Sequence, residues 1–90
     1  SSAASDVYKR QAQERKDTSL LALTHNYKGN VYISQGYIQN AKHEALKALR
    51  LLKEKAPSIY YVLLGDIYLQ QNELDSAEYY IKKCCLYLYS

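Results

Sequence analysis

Phenylalanine, tryptophan and methionine are absent from this chain, and all 11 of its aromatic residues are tyrosine. A core drawn from that set has large rings to bury but a hydroxyl on each, so many tyrosines belong where the ring is packed and the tip is wet. Cysteine is confined to the adjacent pair Cys84-Cys85. Neighbouring cysteines cannot staple distant segments, and no histidine stands at ligand spacing from them, which excludes a disulfide framework and a metal site of recognisable pattern. Two small apolar residues on a helix are the plain reading of the pair, with a vicinal redox couple as the alternative. No apolar run approaches the ~18 residues that suggest a membrane-spanning helix. The net charge of +3 is too weak to imply nucleic acid by itself. Ninety residues allow one small domain with a limited core, and a hydrophobic content of 48% argues against disorder. No cofactor and no metal are expected.

What the chain does have is an internal repeat. The stretch from Gly29 to Ala41 returns, edited, from Gly65 to Ala77 at an offset of 36 residues. Gly29/Gly65, Tyr32/Tyr68, Gln35/Gln71 and Ala41/Ala77 are identical, while Val31/Ile67, Ile33/Leu69 and Ile38/Leu74 stay aliphatic. Self-similarity at such a period is the signature of a solenoid.

In chain order, residues 1–11 show no apolar periodicity, residues 12–16 could form the frayed end of an earlier helix, and 1–16 together are read as a disordered tail. Within them Asp6-Val-Tyr-Lys-Arg-Gln11 resembles the translated end of a transposon used in preparing sequencing libraries, so residues 1–11 are read as adapter-derived or as a genuine disordered terminus. Asp17-Thr18-Ser19 offers N-cap chemistry for a first helix over about 19–34. The apolar and small residues Leu21, Ala22, Gly29, Val31 and Tyr32 on that helix need shielding on more than one side. Gln35-Gly36 breaks it. A second helix over about 37–55 carries Ile38, Ala41, Ala45, Ala48, Leu49 and Leu52 at three- and four-residue spacing, one apolar stripe. Ala56-Pro57 ends that helix, and Ser58 is placed to cap a third, over about 58–70, that is apolar almost all round. Asn72 makes the next turn and can cap a fourth helix reaching about Tyr89, with Leu74, Ala77, Ile81, Cys84, Cys85 and Leu88 on its inner stripe. The chain thus divides into a first helical hairpin over 17–56 and a second over 57–90, the latter expected to be truncated.

Gly29 and Ala41 stand twelve residues apart across their turn, as do Gly65 and Ala77. Antiparallel helices joined that tightly cross closely, and only small side chains fit at the crossing. Tyr32 and Tyr68 follow the glycines by one turn and can wedge between helices. Ala48 and Cys84, seven residues beyond Ala41 and Ala77, supply small residues for packing on the next unit.

This order of small residue, tyrosine, turn, aliphatic, alanine and small residue resembles the tetratricopeptide repeat (TPR), over roughly residues 20–89. The resemblance implies an all-α fold, antiparallel helix-turn-helix repeats stacked as a right-handed α-solenoid. Three features depart from the pattern: a period slightly longer than usual, Lys28 where an aliphatic is customary and where Leu64 stands in the second copy, and Cys84 in place of alanine. The RNA-binding pentatricopeptide pattern fits less well. Two units fall short of the about three needed for independent stability, so a longer array is expected, with adjacent repeats of a parent chain or self-association covering the last helix, where Tyr79, Tyr80, Leu86 and Tyr87 lack a following repeat.

The resemblance implies a protein-interaction scaffold, part of a larger signalling or assembly protein, that binds a peptide or partner protein on its concave wall. From the first repeat that wall would include Leu23, Asn26, Asn30, Ile33 and Ser34. From the second it would include Ile59, Val62, Asp66, Leu69 and Gln70. No Lys or Arg stands among these positions, so a terminal carboxylate is not the expected ligand. The alternative is an RNA-binding helical repeat using the basic face of the second helix, Lys42, Lys47, Arg50 and Lys53. Catalysis is not expected, since His25 and His43 lack a nucleophile or metal partner at recognisable spacing.

Overall fold

A computed structural model describes the backbone of residues 2–89 and the side chains of residues 3–85. Four α-helices follow one another among these residues: α1, Ser2–Ser34; α2, Ile38–Leu52; α3, Ser58–Gln70; and α4, Leu74–Tyr89. A turn of 3-10 helix, Lys53–Lys55, joins α2 to α3. The helices pair as two antiparallel hairpins, α1 with α2 and α3 with α4, and α3 lies against α2 and, less extensively, against α1. This is an all-α helical-repeat fold.

The two hairpin turns are closed by the same pair of backbone bonds. In the first, the Gly36 N–H donates to the Ile33 carbonyl at 3.0 Å and the Tyr37 N–H to the Tyr32 carbonyl at 2.8 Å. In the second, Asn72 donates to Leu69 at 3.0 Å and Glu73 to Tyr68 at 2.9 Å. Both are Schellman-type helix ends, which need a left-handed residue at the turn. Gly36 (φ 84°) and Asn72 (φ 58°) supply it, glycine because it has no Cβ and asparagine because it tolerates that region better than most residues. Asn72 therefore ends α3 through its backbone rather than capping α4 with its side chain. Ser58 likewise does not cap: α3 starts from Pro57, with no side-chain hydrogen bond at that position. Ala56 before it is extended (ψ 127°), as the residue preceding proline prefers to be.

The first helix begins much earlier than residue 19. Ala, Gln, Glu, Arg and Lys dominate residues 9–16, and their intrinsic helix preference continues the backbone of α1 without any apolar stripe. Asp17 and Thr18 sit inside that helix, not at its start. Asp17 accepts from the Gln13 amide at 3.1 Å, and the Thr18 hydroxyl donates to the Glu14 carbonyl at 2.8 Å. Of the five residues expected to need cover on α1, Ala22 and Gly29 are buried and Tyr32 is half-buried, whereas Leu21 and Val31 are exposed.

The core consists of large α3 side chains set into a floor of alanines. Ala22, Ala48 and Ala56 receive Tyr60 and Tyr61, and Ala41 and Ala45 receive Leu63, Leu64 and Ile67. Leu64 and Ile67 are the largest fully buried side chains among those described. The absent Cβ of Gly29 is what admits Leu63: a Cβ built there would lie 2.9 Å from Leu63 Cδ2 and 3.4 Å from the Ala41 carbonyl oxygen. Tyr32 and Tyr68 both pack against the second cluster, and Cys84 packs half-buried against the first.

On α4 the expected inner stripe divides. Ala77 is buried, but Leu74, Ile81 and Cys85 are exposed. The Leu88 side chain, like those of Leu86 and Tyr87, lies outside the described residues. Leu74, Ile81 and Cys85 occupy the positions whose equivalents in α2, namely Ile38, Ala45 and Leu49, are covered by α3, and the described chain has no helix in the corresponding place beyond α4.

Candidate functional site

Asn26 and Asn30 lie one turn apart on α1, and Ile59, Val62, Leu63 and Asp66 follow three- and four-residue spacing along α3. Because α3 stacks beside α1, the two rows face each other across a groove of about 450 Å³. Ile59 and Val62 are about half exposed and form its apolar wall, while Leu63 forms its floor. Asp66 accepts a 3.3 Å hydrogen bond from Gln70 one turn on, and the groove lining contains no cation. Asn26 is only 7% exposed, and its Oδ1 is buried without a hydrogen-bond partner, whereas its carbonyl oxygen accepts from Asn30 Nδ2 at 3.0 Å. A buried acceptor left unpaired costs about 1–3 kcal/mol, which marks Asn26 as a residue with something to gain from a donor.

The remaining wall positions, Leu23, Ile33, Ser34, Leu69 and Gln70, do not line this groove. Leu23 and Leu69 are half exposed, and Gln70 is tied to Asp66. Ser34 donates to the Val31 carbonyl at the end of α1, at 2.6 Å. Ile33 is drawn inward instead, half-buried against the Ala41–Leu63 cluster. A second groove, about 490 Å³, runs between the N-terminal part of α1 (Gln11, Glu14, Arg15, Thr18) and the end of α2 (Leu51, Leu52) with Lys55 of the 3-10 turn. Its α1 side is mixed in charge and lies largely ahead of the repeated segment, so it has no counterpart on α3.

Leu63 was not foreseen in the site, and neither were two interhelical clusters. His25 Nδ1 and Glu44 Oε2 meet at 2.5 Å between α1 and α2, with Lys47 Nζ 4.0 Å from the other carboxylate oxygen. One period later the same three positions are Tyr61, Tyr80 and Lys83. There the Tyr61 and Tyr80 rings stack at 6.3 Å, Tyr80 stacks in turn on Tyr68 at 5.6 Å, and Lys83 lies 5.5 Å from the Tyr61 ring centroid. Lys42 closes the far end, 4.5 Å from the centroid of Tyr68. Burial, together with the neighbouring tyrosines, raises the Tyr80 hydroxyl above its ordinary pKa. Applying the period of 36 to His25 and Glu44 is the signal that relates the two clusters.

For Glu44, burial works to raise the carboxyl pKa, but the hydrogen bond to His25 and the charges of His25, Lys47 and Lys28 outweigh it and hold the group below the usual value of 4.5. The folded chain thus binds that proton less tightly than the unfolded chain does. The stability it contributes is present above pH 4.5 and is lost as pH falls through the lowered folded value. Glu44→Gln is expected to cost about 1 kcal/mol at neutral pH and to flatten the acid side of a plot of melting temperature against pH. An unchanged acid slope would show that the pair contributes nothing.

Among the basic residues of α2, Lys42 reaches Gln71 at 3.2 Å and Glu73 at 3.7 Å, and Arg50 Nε bonds the Leu46 carbonyl at 3.4 Å. With Lys47 beside Glu44, these side chains are engaged locally rather than arrayed as a bare cationic stripe.

Residues 59–87, spanning all but the ends of α3 and α4, match the family model described as tetratricopeptide repeat. The second hairpin is a tetratricopeptide repeat. No curated protein and no solved structure matches the chain. TPR units are generally protein–protein interaction modules and typically non-catalytic scaffolds. Among the described residues no helix is long and apolar enough to cross a membrane, and no cluster of three or more potential metal ligands occurs. The first hairpin shares with the TPR hairpin its turn bonds, its crossing glycine and its buried alanine.

Proposed function

We propose that the groove between α1 and α3 binds a peptide segment of a partner protein, anchored by apolar side chains and recognised away from its C-terminal carboxylate. The observation that carries this reading is the groove's lining: Ile59, Val62 and Leu63 supply apolar surface, Asn26 and Asn30 supply amides, and Asp66 supplies the only charge. A terminal carboxylate placed there would meet a like charge with no cation to offset it. An apolar or mildly basic segment fits instead, with its side chains on the Ile59–Val62 wall and a backbone N–H satisfying Asn26 Oδ1 after a small side-chain rotation.

The test is selection from a random peptide library whose members are fused at their C termini, so that no free carboxylate is offered. Binders are expected, and synthetic versions should bind equally well as acids or amides. Val62→Asp should lower their affinity by about tenfold or more, the scale of one interface contact worth ~1.4 kcal/mol, with helix content unchanged. Binders that come only from a library with free C termini, and that amidation abolishes, would overturn the reading.

A further inference from the structure

The outer face of α3 and α4 is apolar and uncovered, and the repeat itself shows what such a face receives. Leu69, Leu74, Ile81 and Cys85 are exposed there, the first three by 49%, 61% and 40%. Their equivalents one period earlier, Ile33, Ile38, Ala45 and Leu49, are buried or packed against the core because α3 lies on them. Helical repeats stack each on its neighbour, and we propose that where a succeeding repeat lies on this face, in the way α3 lies on the first hairpin, Ile81 restricts its first helix to a small residue at the position matching Leu63.

The restriction follows from the two glycines. At the first crossing, Gly29 leaves a slot that Leu63 enters from the next hairpin, and Ala45 beside it is too small to reach in. At the second crossing the residue equivalent to Ala45 is Ile81. A Cβ built on Gly65 would lie 3.0 Å from Ile81 Cγ1, so the second hairpin fills its own slot. A leucine arriving there would meet Ile81 rather than open space, and overpacking of that kind is destabilising.

A second copy of this chain is the wrong occupant. Stacked head to tail, it would present Thr24, Tyr27, Lys28 and Val31 where α3 presents Tyr60, Leu63, Leu64 and Ile67. All four are exposed, and Lys28 would bring its ammonium to the place where Leu64 is fully buried. Burying an unpaired charge there is strongly unfavourable.

The experiment extends the full chain by a second copy of residues 55–90, which continues the period of 36 without a break. Four proteins combine leucine or alanine at the appended position matching Leu63 with isoleucine or alanine at residue 81. With Ile81 present, the alanine form should melt higher by about 4 °C or more. With Ile81→Ala, the order should reverse, because the vacated slot again takes leucine. The same order in both backgrounds overturns the size restriction. Failure of the appended hairpin to raise the melting temperature in any of the four overturns the seat itself. Sedimentation of the unextended chain completes the test: a dimer lost on Leu74→Lys would assign the face to a second copy and likewise overturn the proposal.

Discussion

Leu64→Ala is expected to destabilise the chain by about 2–5 kcal/mol, the range for deleting a fully buried leucine side chain and leaving a cavity. Leu64 is completely buried among Ala41, Ala45, Leu63 and Ile67, at the centre of the contact between the hairpins. A chain of this size has a total stability of only about 5–13 kcal/mol by the usual per-residue scale, so the loss is a large share of the whole. The alanine floor opposite, Ala41 and Ala45, cannot collapse inward, because its backbone is held in the regular helix α2. Lys28→Ala supplies the internal comparison: it changes the equivalent position on α1, which is exposed, and it should barely move the transition. Urea denaturation followed by circular dichroism measures both. Similar losses for the two variants would mean that the Lys28 face is packed after all.

Ala77→Leu is the second substitution with a large expected cost, about 1–3 kcal/mol, from forcing a longer side chain into a filled site. Ala77 is 1% exposed, one turn into α4 where it crosses α3, and its N–H makes the 3.0 Å bond to Glu73 that opens the helix. Its equivalent, Ala41, is fully buried with its carbonyl oxygen 3.4 Å from a Cβ built on Gly29. Glu78 is the next residue, exposed and bonded only along its own helix to Lys82 at 2.8 Å. A surface pair of that kind contributes little, so Glu78→Leu should leave the thermal midpoint nearly where it was. Equal effects at residues 77 and 78 would rotate α4 from the orientation described.

Helices α2, α3 and α4 were legible in the sequence because each begins or ends at a residue with a local reason: Gly36, Pro57 and Asn72. The close crossings were legible because Gly29/Gly65 and Ala41/Ala77 repeat together. The early start of α1 was not, since residues 2–16 are helical through backbone preference alone and carry no apolar stripe to reveal it. Leu74, Ile81 and Cys85 read as inner residues because sequence periodicity locates an apolar face without saying whether a neighbour lies on it. Of the proposed wall, Asn26, Asn30, Ile59, Val62 and Asp66 come together around one groove, while Ile33 goes to the core, because adjacent positions of one helix point in different directions. The His25–Glu44 contact spans 19 residues and both arms of a hairpin. Its spacing has no meaning until the turn at Gly36 fixes which residues of α1 and α2 are opposite.

The 33 residues of α1 make a rod of about 50 Å, comparable to the 55 Å long dimension of the whole molecule. Only its C-terminal half carries buried residues, Ala22, Asn26 and Gly29. The outer turns have only their own hydrogen bonds to hold them, and a short helix in that situation is marginal in water. Amide deuteration should therefore sweep along α1 as a gradient. Residues 3–10 should exchange at nearly the intrinsic rate, while Ala22 to Gly29 should be protected up to the free energy of global unfolding. A single unbroken helix would thus contain both extremes of the chain's exchange kinetics.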